Sequence, residues 1–207
     1  MEKARQLISA IIAGMFIGMG GTVFLSLQNP VIGSFLFAIG LFTIVGFRLQ
    51  LFTGRIGYLI FEKPVYFIEL GITWLGNLIG TYVMAWLVQH TRIYQGISER
   101  VAEISRLKLE DNLLSIFILA FFCGVLMFIA IDLYRNLEGS MLKAIAIFIP
   151  VVVFILSGFE HVIANMFYFS LANAWDGHCL FYIVIMTLGN SLGGLLIPAY
   201  LKLFRLR

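Results

Sequence analysis

The sequence predicts an all-α polytopic membrane protein: six transmembrane helices in two inverted three-helix repeats, with helices two and five interrupted. Three observations carry this. Hydrophobic residues make up 61% of the 207 and charged ones 12%, with a mean hydropathy of +0.99, far too little polar surface for a soluble domain of this size. The string Ser157-Gly158-Phe159-Glu160-His161-Val162-Ile163-Ala164-Asn165-Met166-Phe167 sits inside an apolar run over 141–171. Finally, Gly76-Asn77-Leu78-Ile79-Gly80 is answered by Gly189-Asn190-Ser191-Leu192-Gly193.

In chain order, helix one covers 7–27 and follows only Lys3 and Arg5. A cleavable signal peptide is shorter and ends in small residues, so a retained helix is expected. Asn29-Pro30 makes a tight turn. Helix two covers 31–61, longer than a bilayer needs; with Arg48, Gln50 and Thr53-Gly54-Arg55 inside it, it reads as two half-helices joined by a break. Helix three covers 65–88 after Pro64. The mixed charges of 90–112 read as a short surface helix plus loop, and no single-sign patch speaks for nucleic acid. Helices four, five and six cover 113–134, 141–171 and 180–204. The apolar runs are too long for barrel strands. Cys123 and Cys179 have neither a metal spacing nor a disulfide framework and read as small packing residues.

An ionisable group at bilayer depth costs about 2.5–3.5 kcal/mol on insertion scales, so Glu160 and His161 are expected to face a cavity or a partner. Gly158 just before them suggests unwound backbone, tolerated at that depth only beside a cavity or within protein. Six spans put both termini on one side. With the termini in the cytoplasm, that side takes Lys3, Arg5, Arg48, Arg55, Lys63, Arg135, Lys143, Lys202, Arg205 and Arg207, leaving Arg92, Arg100, Arg106 and Lys108 opposite, the orientation that the positive-inside rule favours. A multi-pass protein of the inner (plasma) membrane is expected. One domain spans 1–207, its repeats at about 1–88 and 112–207 joined by polar loop 89–111. Three spans per repeat force the halves to enter in opposite senses, and paired broken helices point to a central permeation site.

The GFEH string with Ile163-Ala164-Asn165-Met166-Phe167, the loop Leu51-Phe52-Thr53-Gly54 and the two Gly-Asn-x-x-Gly helices together resemble the formate/nitrite transporter family. The resemblance covers helices two to six. It implies an aquaporin-like fold, a homopentamer with one pore per protomer, and passage of small monovalent weak-acid anions such as formate, nitrite, hydrosulfide and acetate. It implies no metal or organic cofactor. Carried over by motif, the central pore histidine is His161, with Glu160 beside it, Asn165 one turn on and Thr53 facing it. The cytoplasmic constriction maps to Leu51 and Phe52, the periplasmic one to Phe37, Leu41 and Phe154, and the lysine at the start of helix five to Lys143. Three departures stand out. Arg48 and Gln50 replace small or acidic residues and make the inner vestibule more cationic. The helix-four asparagine is missing within Gly124-Val125-Leu126-Met127-Phe128. Only about six residues precede helix one, so gating by a long N-terminal helix is not carried over.

Apolar rings strip water from an anion, and a conducting site must bind it favourably but weakly. Imidazole, with an unperturbed pKa of about 6.5, can donate either a hydrogen bond or a proton, so proton coupling stays open. Lys143 and Arg48 would gather anions at the inner mouth, and the half-helix N-termini aim partial positive charge at the site. The glycine faces at Gly14, Gly18, Gly76 and Gly80 are expected to pack between protomers. Two rivals remain. A channel for a small neutral solute would need paired Asn-Pro-Ala loops, which are missing. An intramembrane hydrolase using Glu160 and His161 lacks HExxH, a second histidine at ligand spacing, and any Ser/Lys or paired-Asp constellation, so no enzyme is expected.

Overall fold

The computed structural model describes residues 2–206, so Arg207 lies outside the described residues. Among these the chain is all helix and connections: α1 (Glu2–Ser26), α2 (Pro30–Gly46), α3 (Phe52–Arg55) running into a 3-10 stretch (Ile56–Phe61), α4 (Val65–Gln89), α5 (Ile93–Glu110), α6 (Leu113–Asn136), α7 (Ser140–Leu156), α8 (Val162–Leu171) and α9 (Gly177–Leu203). Helices α1, α4, α6 and α9 are each long and apolar enough to cross a membrane, whereas α2, α7 and α8 are shorter apolar helices. The starts follow local chemistry. Asn29 Oδ1 accepts from the Val31 and Ile32 amides, with Pro30 beginning α2; Asn112 and Asp176 cap α6 and α9 in the same manner.

Both expected interruptions are present and are built alike. After α2, the Leu49 amide reaches back to the Ile44 carbonyl (2.8 Å) and Arg48 takes a positive φ of 56°. After α7, the Phe159 amide reaches the Phe154 carbonyl (2.9 Å) and Gly158 takes φ 68°. This is the left-handed helix end that glycine favours, and in an arginine it costs roughly 1–2 kcal/mol. The chain then runs extended through Leu51 and through His161 before turning helical again. The two restarts differ: the second half of helix two is one α-turn followed by a 3-10 stretch, not the half-helix expected, whereas α8 holds ten residues.

The two asparagines of the repeated motif staple these breaks. Asn77 Oδ1 accepts from the Phe52 amide (2.9 Å), and its Nδ2 donates to the carbonyls of Gln50 (2.9 Å) and Ala10 (2.8 Å). Asn190 Oδ1 accepts from the Val162 amide (2.9 Å), and its Nδ2 donates to Glu160 (2.7 Å) and Ala120 (2.7 Å). Each asparagine thus satisfies backbone that the break has freed and ties it to the neighbouring long helix.

The glycines serve the same pairing. A Cβ on Gly80 would lie 1.9 Å from the Ile11 carbonyl oxygen, and one on Gly193 would lie 1.8 Å from that of Phe121. Gly14 and Gly124 abut the Asn77 and Asn190 carbonyls, and Gly76 and Gly189 abut Ala10 and Ala120. The expectation that Gly14, Gly18, Gly76 and Gly80 pack between protomers is therefore corrected: they pack within the chain, α1 on α4, with Gly18 against Met84 and Phe167. Backbones this close leave those faces no room for a second copy.

The polar stretch after α4 is also more than expected. Helix α5 has 18 residues and buries Ile97, Val101 and Ser105, one helical stripe, against the bundle. Arg100 latches it to α1 by donating to the carbonyls of Phe24 (3.2 Å), Leu25 (3.0 Å) and Leu27 and by lying over the Phe24 ring.

Candidate functional site

His161 is the last residue of the second break and the N-cap of α8. Its Nδ1 accepts from the Ala164 amide at 3.1 Å, and its Nε2 lies 2.8 Å from Thr53 Oγ1 on α3. A nitrogen accepting from an amide has its lone pair engaged, so the neutral ring carries its proton on Nε2 and donates it to the Thr53 hydroxyl oxygen. The Thr53 hydroxyl proton is then left to point elsewhere. The Phe154 ring stacks on the imidazole with centroids 5.6 Å apart, and Phe37 meets Phe154 edge-on at 6.0 Å. His161 and Thr53 are 2% and 1% exposed, so the two breaks meet in a closed partition.

Glu160, beside it, turns the other way. One of its oxygens, Oε2, receives both the Lys108 ammonium and Asn165 Nδ2, each at 2.6 Å. The ion pair is deep, with side-chain exposures of 16% for Lys108 and 4% for Glu160. Burying the carboxylate unpaired would be prohibitive, so the ion pair makes its position tenable. No sequence motif marks Lys108. Its signal was there, however: Val101, Ile104 and Lys108 follow at helical spacing, so the lysine stands on the apolar stripe of an amphipathic helix.

Two cavities lie on either side of the partition. The larger, about 600 Å³, is lined by Arg48, Leu51, Gly54, Arg55, Arg135 and Lys143, with Tyr58, Tyr66 and Tyr134 among the rest. Arg55 is tied to Glu69 (2.8 Å), while Arg135 and Lys143 lie over the rings of Tyr58 and Tyr134. The smaller, about 200 Å³, is lined by Phe37, Phe154, His161 and Asn165 together with Phe24, Ile104, Lys108 and Tyr168. The expected pathway residues are therefore split: Arg48, Lys143 and Leu51 open on the larger cavity, Phe37, Phe154, His161 and Asn165 on the smaller. Leu41, Phe52, Thr53 and Glu160 are buried and line neither of these two cavities. Phe52 instead gives its amide to Asn77. The lysine that meets Glu160 is Lys108.

A membrane-embedded helical protein whose two broken helices meet at a buried imidazole, with a cavity on each side, has the build of a channel or transporter. Residues 1–204 match the family model described as formate/nitrite transporter, and the chain belongs to that family of channels and transporters. The nitrite transporter NirC of Escherichia coli (strain K12) is 30% identical over 213 residues, covering 90% of this chain and 78% of that protein. A solved structure titled FNT family ion channel superposes with a TM-score of 0.84 at 25% identity, over 96% of this chain and 89% of that one. Another, titled pentameric formate channel with formate bound, shares the fold with a TM-score of 0.81 at 22% identity, over 100% and 98% of the two chains.

Proposed function

We propose that this protein passes small monovalent weak-acid anions, of the formate, nitrite, hydrosulfide and acetate class, across the inner membrane. It does so through one pore per protomer of a homopentamer. The observation that carries this is His161, engaged at both ring nitrogens, lining the smaller cavity and covered by Phe154. An anion leaving water in such a place needs donors that do not hold it as a fixed charge would. The Nε2–H of His161 polarises Thr53, whose free hydroxyl proton can turn to the anion. Arg48 and Lys143 raise the anion concentration in the larger cavity. Leu51 and the Phe37–Phe154 pair strip water on either side of the imidazole. Lys108, neutralised by Glu160 but with ammonium protons to spare, receives the anion in the smaller cavity.

On this reading α2 with α3 and its 3-10 stretch forms one span, and α7 with α8 another. The total is six, in inverted repeats over about 1–88 and 112–207 joined by 89–111, with both termini cytoplasmic. The matched helix ends, the matched asparagine staples and the matched glycine contacts of the halves support it. The larger, basic cavity then faces the cytoplasm.

The reading is tested by flux into proteoliposomes. Formate, nitrite or hydrosulfide should enter faster than into empty vesicles, and native mass spectrometry of the same preparation should find five copies. Uptake of water or glycerol without anions would favour a neutral-solute channel instead.

His161→Asn separates a hydrogen-bond donor from a proton relay. Asparagine can cap α8 as His161 does but cannot titrate. For imidazole to become imidazolium, Nδ1 must release the Ala164 amide, which would then stand buried without a partner. The relay is thereby disfavoured. The variant should pass formate about tenfold more slowly, equivalent to about 1.4 kcal/mol for the lost contact at Nε2, with the pH profile of uptake unchanged in shape. A profile that flattens in the variant would restore His161 as the proton carrier.

A further inference from the structure

We infer that the Tyr168 hydroxyl is an anion-binding group of the smaller cavity, and that it gives the pathway a preference for oxyanions with two acceptor oxygens. The inference rests on the transport reading above and names a substrate preference for that site.

The N-cap of α8, His161, and three residues of the helix, Ala164, Asn165 and Tyr168, line the smaller cavity. Their spacing puts them on one face of the helix, so the tyrosine looks into the same space as the imidazole, two turns on. Tyr168 is 6% exposed. Its ring packs on Phe167 (5.8 Å) and beside Gly21. Every other functional polar side chain in this region has a partner: His161 has Thr53 and the Ala164 amide, while Glu160 has Lys108 and Asn165. Among the described residues the Tyr168 hydroxyl has no hydrogen bond. Nor is its oxygen sealed off, since the one fully enclosed polar side-chain atom left without a partner among the described residues is Ser105 Oγ. The hydroxyl therefore keeps accessible surface, on a residue that lines the cavity.

The remaining walls are largely apolar: Phe24, Phe37, Ile104, Phe154, Ile155 and Phe159. An unpaired hydroxyl in such surroundings carries a desolvation penalty unless a guest takes its proton in a hydrogen bond. The guest it suits is an acceptor, and a charged acceptor makes the stronger bond. Lys108 lines the same cavity, and among the described residues its ammonium is hydrogen-bonded to Glu160 alone, leaving protons free. Formate and nitrite each present two oxygens at an angle, one for each donor. Hydrosulfide presents a single soft acceptor and cannot use both.

The test is Tyr168→Phe in proteoliposomes, with initial uptake measured over a concentration series of formate, nitrite and hydrosulfide. The hydroxyl has no hydrogen-bond partner among the described residues, so its removal should leave folding and assembly intact. The half-saturating concentrations of formate and nitrite should rise about tenfold, and that of hydrosulfide by less than twofold. A change of pore width would move all three anions together. Equal shifts for the three, or no shift, would overturn the inference while leaving the transport reading in place. A wild-type protein that carries none of the three would overturn both.

Discussion

Lys108→Met is expected to slow formate or nitrite uptake by at least about a hundredfold, the largest functional loss available from a residue outside the two breaks. Its ammonium lies 2.6 Å from Glu160, and the pair is almost wholly removed from water. Truncating one partner of such a pair leaves an uncompensated buried charge, which costs about 3–5 kcal/mol. Here the charge left behind is negative and stands beside the cavity that the proposed anion pathway crosses, so repulsion adds to lost stability. A hundredfold loss corresponds to about 2.7 kcal/mol, well within reach of that interaction. The double variant Lys108→Met, Glu160→Gln removes both charges and should regain most of the thermal stability in detergent. Its uptake should remain slow, because the cation proposed to receive the anion is still missing. Wild-type uptake by the single variant would remove the ion pair from the pathway. A double variant no more stable than the single one would mean that charge burial is not what Lys108 relieves.

The largest structural effect is expected from Asn190→Leu, which should leave little protein able to assemble. Leucine fits the volume but makes none of the three hydrogen bonds to Val162, Glu160 and Ala120. The Val162 amide and Glu160 carbonyl belong to a break and have no helical partner to fall back on, and each unsatisfied group at bilayer depth costs several kcal/mol. The loss also lands on the residues flanking His161, so any protein that does assemble should transport poorly. Size-exclusion profiles and melting temperatures in mild detergent, compared with wild type, report the result. An Asn190→Leu protein that assembles and melts normally would show that α8 is held by packing alone. Asn77→Leu should behave similarly, since Asn77 makes two such bonds to the other break and a third to Ala10 of α1.

Much of this was legible in the sequence. Hydropathy alone decides that the chain is helical and membrane-embedded, because only helices satisfy the backbone of such long apolar runs in lipid. The breaks were legible because Gly158, Glu160 and His161 interrupt one run, and Arg48, Gln50 and Thr53 another. The partnership of Thr53 with His161 followed from motif, and the structure brings them to 2.8 Å. Arg48 was visible as an unusual charge, but not as the residue that turns the chain at positive φ where the other break uses glycine.

Tertiary structure decided the rest. Small residues four apart state that two backbones approach closely, not whose; that α1 meets α4 within one chain is a matter of packing. The same holds for Leu41 and Phe52, whose apolar side chains suit a core and a cavity wall equally well. Lys108 and Glu160 lie 52 residues apart in the chain, and local pattern carries no information about which distant charge will neutralise a buried one. Only the docking of α5 against α1 and α8 sets that pairing, and with it the charge an anion would meet in the smaller cavity.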